Sequence, residues 1–245
     1  MTTRRAPIDD LAGNRRVELD PSTSRYLGRV LRLAEGDSFV AFDPRSAVEA
    51  DARIVATKRG ALVVEIGDLR SADVVASRGI TLVQALAKGD KCDAIVRDAT
   101  ELGATRIVFV ATERSVVELT AKRAIERVAR WERIAHEAAR QSLRGDAPSI
   151  AISTWKDAMR ASREDASFVL HPLANVSSSA SLRSALSDPK RAVAFAVGPE
   201  GGLTVEEVET AEKQAWIAIS LGPVILRTET VAMAVLGAAR VLCPG

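Results

Sequence analysis

Apolar residues recur along this chain at two different periods, and the change from one to the other falls near residue 79. Before it, short β-branched runs at 38–42, 53–56 and 62–66 are cut by Gly36-Asp37, Asp43-Pro44, Arg59-Gly60 and Gly67-Asp68. Frequent turns between short strands predict a small barrel or sandwich. Ahead of them Tyr26, Val30 and Leu33 fall at i, i+4 and i+7, with Leu27 and Leu31 supporting the same face. That spacing predicts one or two turns of helix.

After residue 79 strands alternate with helices. The runs at 80–86, 106–111, 168–170, 192–197 and 217–221 read as strands. Residues 90–102 read as a helix with Ile95, Val96, Ala99 and Leu102 on one face and Gly103 as its stop. Residues 121–142 predict a longer one, with Ile125, Val128, Trp131, Ala135 and Ala138 as the apolar stripe and the arginines outward. Thr204 and Glu207 match the S/T-x-x-E box that opens a helix. The last helix, about 229–242, is apolar nearly all round and is expected in the core. This alternation implies an α/β parallel sheet covered on both faces. Residues 72–78 read as a linker and residues 177–181 as a polar loop.

Charge changes the picture only locally. Overall, 34 basic residues meet 32 acidic ones. Between Arg114 and Arg144 eight Arg or Lys face four Glu, a local excess of +4. This is a phosphate-binding face or a solvated helix with internal Glu–Arg pairs. The two cysteines, Cys92 and Cys243, cannot build a disulfide framework and read as reduced thiols. His136 and His171 lack neighbours at ligand spacing, so no metal site is expected. The longest apolar stretch is too short for a bilayer, and MTTRRAPIDD carries no secretion-signal core. A soluble cytoplasmic protein without a membrane partner is the expectation.

Two glycine-bearing loops hold most of the candidate chemistry. GPEGGLT (residues 198–204) and SLGPVILRTET (residues 220–230) each follow an apolar strand and open a helix. Gly198, Gly201 and Gly202 permit close backbone approach, and the helix start offers unpaired N–H donors. Such a loop suits a carboxylate, a phosphate or the edge of an adenine, or is a tight turn with no ligand. G-x-G-x-x-G and the phosphate-loop motif are both absent. Arg227 and Glu229 flank the point where an otherwise apolar helix begins. Charges kept there are costly unless paired or used.

KGDKCDAIVRDATELGATRIVFVATERSVV (residues 88–117), EAARQSLR (residues 137–144) before Pro148, and the two glycine loops resemble the bacterial ribosomal RNA small subunit methyltransferase E family. The likeness extends upstream through RYLGRVLRLAEGD (residues 25–37). Three departures stand out. Leu143 stands where the family usually has Gly, Val231 where it commonly has Ala, and APIDDLAG replaces an aromatic-rich first strand.

What the resemblance implies is S-adenosylmethionine-dependent methylation of uridine N3 in 16S ribosomal RNA of the small ribosomal subunit. It also implies a SPOUT-type domain over residues 79–245 with a C-terminal trefoil knot, acting as a homodimer. A PUA-like β-barrel that helps bind RNA would occupy residues 1–75. By motif the cofactor would be held by Leu170, His171, Pro172, Gly198, Pro199, Glu200, Gly201, Gly202, Leu203, Leu221, Gly222, Ile225, Leu226, Arg227, Thr228 and Thr230. Backbone groups of Leu221, Ile225 and Leu226 would meet the adenine edge, with Leu203 and Leu226 on its faces.

Uridine N3 is a weakly acidic imide, so its methylation is helped by a base and by stabilisation of the uridine anion. Arg227 is the expected cation, and Glu200 or Glu229 the proton acceptor or positioning group. RNA phosphates would meet Arg114, Lys122, Arg123, Arg127, Arg130 and Arg144, with Arg4, Arg5, Arg25, Arg29 and Arg32 from the barrel. The alternatives are a non-catalytic ribosome-assembly or RNA-binding factor, against which the two intact loops count, and a SPOUT enzyme acting on another RNA.

Overall fold

The computed structural model describes residues 4–11, 13, 15–115, 120–162, 164–172 and 179–242. Cys243, Ser177, Ser178 and the last residues of the 88–117 segment lie outside the described residues. The chain divides into two units: Met1–Val75 with Ala139–Ala147, and Ala76–Ala138 with Pro148–Gly245. A division drawn from sequence at residue 75 gives no hint that Ala139–Ala147 joins the first unit.

In the first unit β1 (Arg5–Pro7), β2 (Arg16–Glu18), β3 (Ser38–Asp43), β4 (Val48–Lys58), β5 (Ala61–Ile66) and β6 (Arg70–Ser71) share one sheet. Its order is β1-β3-β4-β5-β2, with β6 beside β4. All pairs are antiparallel except β1 with β3. β1 and the residue after it come from the APIDDLAG segment and its approach, and with Ala6 and Ile8 buried this stretch feeds the core. Phe39, Ala41, Ile54, Leu62, Val64 and Ile66 alternate inward from the longer strands.

The helix ahead of these strands differs from its expected form. Asp20 caps α1 (Pro21–Arg25) by accepting from the N–H groups of Ser22 and Thr23, and Pro21 suits the first turn. Tyr26–Val30 then widens into a π turn, closed by Leu31 N–H to Tyr26 O at 3.0 Å. The extra residue rotates the face. Leu27 and Leu33 go in, whereas Val30, expected inside, is 66% exposed.

Ala139–Ala147 docks on this unit through polar as well as apolar contacts. Arg140 lies over the Tyr26 ring at 3.8 Å. Arg5 Nη1 donates to Leu143 O at 2.7 Å, while Nη2 pairs with Glu49 at 3.1 Å. Gly145 is required by close approach, since a Cβ there would sit 2.1 Å from that of Ala72.

The second unit contains β7 (Ile80–Ala85), α2 (Lys91–Glu101), β8 (Arg106–Ala111), α3 (Ala121–Gln141), β9 (Ser149–Thr154) and α4 (Trp155–Ala161). It continues with β10 (Ala166–Leu170), α5 (Ser179–Ser187), β11 (Val193–Val197), α6 (Val205–Glu212), β12 (Ile217–Ile219) and α7 (Thr228–Leu242). The last turn of α3 groups with the first unit. Six strands run parallel in the order β12-β10-β11-β7-β8-β9. Val83, Val108, Val169 and Ala196 face Trp155, Met159 and Trp216 on one side. On the other, Trp131 stacks on Phe109 at 4.0 Å, and α7 packs on β11 and α2.

Three expectations need correction. The stripe on α3 buries Trp131, Ala135 and Ala138 but leaves Ile125 72% exposed. Asp93 on α2 anchors the helix further along, at Arg130 and Trp131. α7 buries one face through Thr228, Ala232, Val235, Leu236 and Ala239, leaving Thr230, Ala234 and Val241 outward. Ser179 belongs to a helix and not to a polar loop, and β9, α4 and α5 are additions to the expected elements.

Leu143 adopts a left-handed backbone conformation, with φ of 65°. A side chain there meets its own carbonyl, a cost of about 1 kcal/mol that glycine avoids. The leucine is 42% exposed, so little packing offsets it. Leu143→Gly is therefore expected to stabilise the first unit by about 0.5–1 kcal/mol in urea titrations. A drop in stability would contradict this account.

Candidate active site

Three adjacent strands, β12, β10 and β11, end at the same edge of the second sheet, and the loops leaving them converge there. Parallel sheets characteristically place ligand crevices outside the carboxyl ends of their strands. The loops enclose a cleft of about 300 Å³ lined by Leu170 to Pro172, Val197 to Glu200, Gly202, Leu203, Ile219 to Gly222, Val224 to Thr228 and Val231.

Local chemistry explains the loop after β11. Gly202 takes φ of 73° and returns its N–H to Pro199 O at 2.9 Å. At Gly198 a Cβ would lie 2.9 Å from Leu203 Cγ, so only glycine lets the chain fold back on itself. Thr204 and Glu207 form the expected reciprocal cap. Glu207 Oε1 also accepts from Glu113 N–H, and Arg114 Nη1 donates to Gly201 O at 3.0 Å. The segment after β8 thus braces the turn from outside.

A buried relay joins this loop to the start of α7. Thr228 Oγ1 donates to Gly198 O at 2.6 Å, and Gln84 Nε2 on β7 donates to Thr228 Oγ1 at 2.8 Å. A hydroxyl has one proton and the carbonyl can only accept, so the orientation of the Gln84 amide follows. Gln84 is fully buried, and its Oε1 has no partner among the described residues.

The rim carries charge. Glu200 Oε1 accepts from Lys91 Nζ at 2.9 Å and from Lys88 N–H at 3.2 Å. Partial burial works to raise the Glu200 pKa. Hydrogen bonds from Lys91 and from the N–H groups of Glu200 and Lys88, with the Lys91 charge, outweigh it and hold the carboxyl below its ordinary value. Lys91 also stands 3.5 Å from Glu229 Oε2. Arg227 is exposed on the cleft wall, and among the described residues its guanidinium has no hydrogen-bond or ion-pair partner.

The RNA methyltransferase domain family matches residues 76–240, and the RNA methyltransferase PUA domain family matches residues 19–67. Ribosomal RNA small subunit methyltransferase E of Bacillus subtilis is 31% identical over 218 residues, covering 87% of this chain and 85% of its own. The chain belongs to the ribosomal RNA small subunit methyltransferase E family. A Synechocystis member is also 31% identical, over 87% of this chain and 69% of its own. The Neisseria gonorrhoeae member, solved bound to S-adenosylmethionine, has 29% identity and a TM-score of 0.81 over 98% of both chains. A Legionella pneumophila protein in complex with the same cofactor reaches 0.87 at 26% identity, again over 98% of both.

Within this family member, the cleft gathers most residues that the two glycine loops singled out. Leu170, His171, Pro172, Gly198, Pro199, Glu200, Gly202, Leu203, Leu221, Gly222, Ile225, Leu226, Arg227 and Thr228 line it; Gly201, Glu229 and Thr230 do not. Gln84 and Lys91 escaped sequence reasoning. A lone amide inside the apolar run ITLVQAL was the available signal for Gln84, because a buried amide needs partners. Nothing local marks Lys91, whose partner Glu200 is 109 residues away.

The arginines assigned to RNA divide sharply. Arg5 and Arg144 are 6% and 4% exposed, engaged with Glu49 and Asp146 respectively, and cannot present charge to a phosphate. Arg130 forks onto Asp93, and Arg114 holds Gly201 O. Arg4, Arg25, Arg29, Arg32, Lys122 and Arg123 are exposed, and Arg127 is half-buried.

Thr228→Val keeps the shape of the relay and removes its hydroxyl. The Gly198 carbonyl then loses its donor and the Gln84 amide keeps only the Ala85 carbonyl, which should cost about 1–3 kcal/mol in chemical denaturation of the second unit. A change below about 0.3 kcal/mol would mean that the relay does not hold the loops.

Proposed function

We propose that this chain transfers a methyl group from S-adenosylmethionine to N3 of a uridine in 16S ribosomal RNA of the small ribosomal subunit. The observation that carries the reading is the convergence of both glycine loops on one apolar-walled cleft. Its volume falls within the range of small-ligand sites. Among the described residues, the backbone N–H and C=O groups of Leu221, Ile225 and Leu226 make no backbone hydrogen bonds, which leaves them open to an adenine edge. Leu203 and Leu226 would pack on its faces, and the Glu200 carboxylate offers a charge opposite to a sulfonium.

S-adenosylmethionine supplies, when bound, a methyl group already activated on sulfur. The chain's own work is placement and charge. A target base must leave its stack to reach the cleft. Loss of the N3 proton puts negative charge on O2 and O4 of uridine, and Arg227, on the cleft wall and without a partner among the described residues, would stabilise it. Glu200 already gives an oxygen to Lys91 and to the Lys88 N–H, which suits a fixed carboxylate better than a proton acceptor. Glu229 does not line the cleft and holds Oε2 3.5 Å from Lys91 Nζ, so it too suits a positioning group better than a proton acceptor.

The reading extends to assembly and topology. Thr230, Ala234, Gly237 and Val241 stand at i, i+4, i+7 and i+11 on α7; Val241 is 76% exposed, and Ile225 in the neighbouring loop 84%. Such a small-residue apolar face supports a second copy of this chain as its partner, which sedimentation velocity decides. The route from β11 to β12 beyond β10, and back to α7 packed on β11 and α2, supports a trefoil knot. A cytoplasmic setting belongs to the same reading.

The direct test combines purified protein, S-adenosylmethionine and small subunits lacking the mark, followed by nucleoside mass spectrometry. 3-Methyluridine is expected, and Arg227→Ala should lower turnover by about 10²–10³-fold, with a far smaller change in calorimetric cofactor affinity. Methylation of another nucleoside would point to a different target, and failure to bind the cofactor to a binding-only protein.

Phosphate binding makes a second prediction. Neutralising Arg29 or Arg32 should reduce the slope of log affinity against log salt by roughly one for each phosphate left without its cation. Arg144→Gln should instead lower folding stability and leave that slope in place. The reverse pattern would reassign the RNA face.

A further inference from the structure

Two carboxylates from distant parts of the chain meet one ammonium at the rim of the cleft. Glu200 arrives on the loop after β11, Glu229 in the first turn of α7, and Lys91 as the first residue of α2. Lys91 Nζ lies 2.9 Å from Glu200 Oε1 and 3.5 Å from Glu229 Oε2. Its side chain is about one-third exposed, and those of the two glutamates slightly less. Asp90, which occupies the cap position of α2, makes no side-chain cap bond. The carboxylate that reaches the start of this helix is that of Glu200, through the Lys88 N–H at 3.2 Å. A negative charge is favoured at a helix N-terminus.

We infer that Lys91 is a positioning residue for methyl transfer: its ammonium ties Glu200 to Glu229 and fixes Glu200 as a carboxylate on the cleft wall. This rests on the methyltransferase reading above. Without the ammonium, two like charges would share the rim and each would favour protonation of the other. With it the cluster carries one net negative charge, and the loop after β11 is fastened to α2 and α7 together. Glu229 Oε2 is shielded from solvent yet has no hydrogen bond among the described residues. A buried acceptor of that kind is costly unless a donor reaches it. Lys91 is the cation that makes its ionised form tolerable.

The charged groups disposed around Lys91 are Glu200 and Glu229. Arg127 on α3, Asp93 on α2 and Glu200 bear on the neighbouring thiol of Cys92, which burial pushes upward. Hydrogen bonding to Glu200, opposed by partial desolvation and aided by both carboxylates, raises the Lys91 pKa, so the ammonium persists through the neutral range. The sign for Glu200 is the opposite. A carboxyl held below its ordinary value contributes stability above that value and loses it as pH falls through the folded one.

The test uses Lys91→Met and Lys91→Arg in the full-length protein. Carboxyl ¹³C NMR of the ligand-free protein should show Glu200 titrating at higher pH in K91M and near its original position in K91R. With methylatable small subunits, kcat of K91M should fall roughly 10–100-fold, KM for RNA should change far less, and the acidic limb of kcat should move to higher pH. Arginine should restore most of the rate. If K91M leaves both the Glu200 titration and kcat at wild-type values, the inference is overturned. A rate loss that K91R does not relieve, with no change in the Glu200 titration, overturns it too. If the wild type makes no 3-methyluridine while Glu200 still shifts in K91M, the holding role of Lys91 stands and the reaction assignment fails.

Discussion

The hydroxyl of Thr228 has a single proton, and it gives that proton to the carbonyl of Gly198. This bond ties the two loops of the cleft to each other. Gly198 begins one glycine loop and Thr228 ends the other, so the bond sets their separation at the point where both leave the sheet. Gln84, reaching up from β7 in the middle of the sheet, completes the relay from below. The spacing of the cleft walls is therefore fixed to the most buried part of the unit, where β7 pairs with both β11 and β8. An amide in the centre of a parallel sheet would be a liability without such a partner, and its Oε1, unpaired among the described residues, shows that the cost is only partly met.

Charge is arranged on the same principle, with some groups tied to carboxylates of the chain and others left open. Arg5, Arg144 and Arg130 each face a carboxylate, and Arg5 in addition lies over the Phe42 ring at 4.6 Å. Burial works to lower the Arg5 pKa, with Glu49 and Asp73 opposing it, a balance that places this cation within the fold. Arg227 is the contrast: an exposed cation on a ligand-sized cleft, with no partner among the described residues. A basic count along the sequence cannot separate these cases, because it registers charge and not the acid that folding brings beside it.

Much of the second unit was legible because parallel strands are continuous apolar runs and its helices carry clear stripes or caps. The Thr204–Glu207 cap and the glycine turn follow from local chemistry alone. What escaped depends on distant partners. Lys91 gains meaning only from Glu200 and Glu229, and Gln84 only from Thr228, 144 positions away. In the first unit the π turn moved Val30 outward, because one additional residue in a turn shifts the helical phase that periodicity assumes. β1 and β2 are three residues each, too short for any period to declare itself. The convergence of the two glycine loops was the legible part of the site, whereas the buried and charged links that hold them were not.

Leu143 and Val231 both stand where the resemblance read from the sequence leads one to expect a smaller residue, and their consequences differ. Leu143 retains the left-handed backbone that glycine would adopt without strain, and its carbonyl is held by Arg5. The conformation is thus imposed by the hydrogen bond and the close approach of neighbouring Gly145 to Ala72, and the side chain accepts the strain. Val231 carries no such strain. It lies in the first turn of α7, donates its N–H to Arg227 O at 2.9 Å and lines the cleft. Valine adds two methyl groups to the alanine side chain and has essentially one rotamer in a helix, so it narrows the wall beside Arg227 and stiffens it. The first substitution acts on folding and the second on the shape offered to a ligand, while the Thr228–Gly198 bond that spaces the two loops is untouched by either.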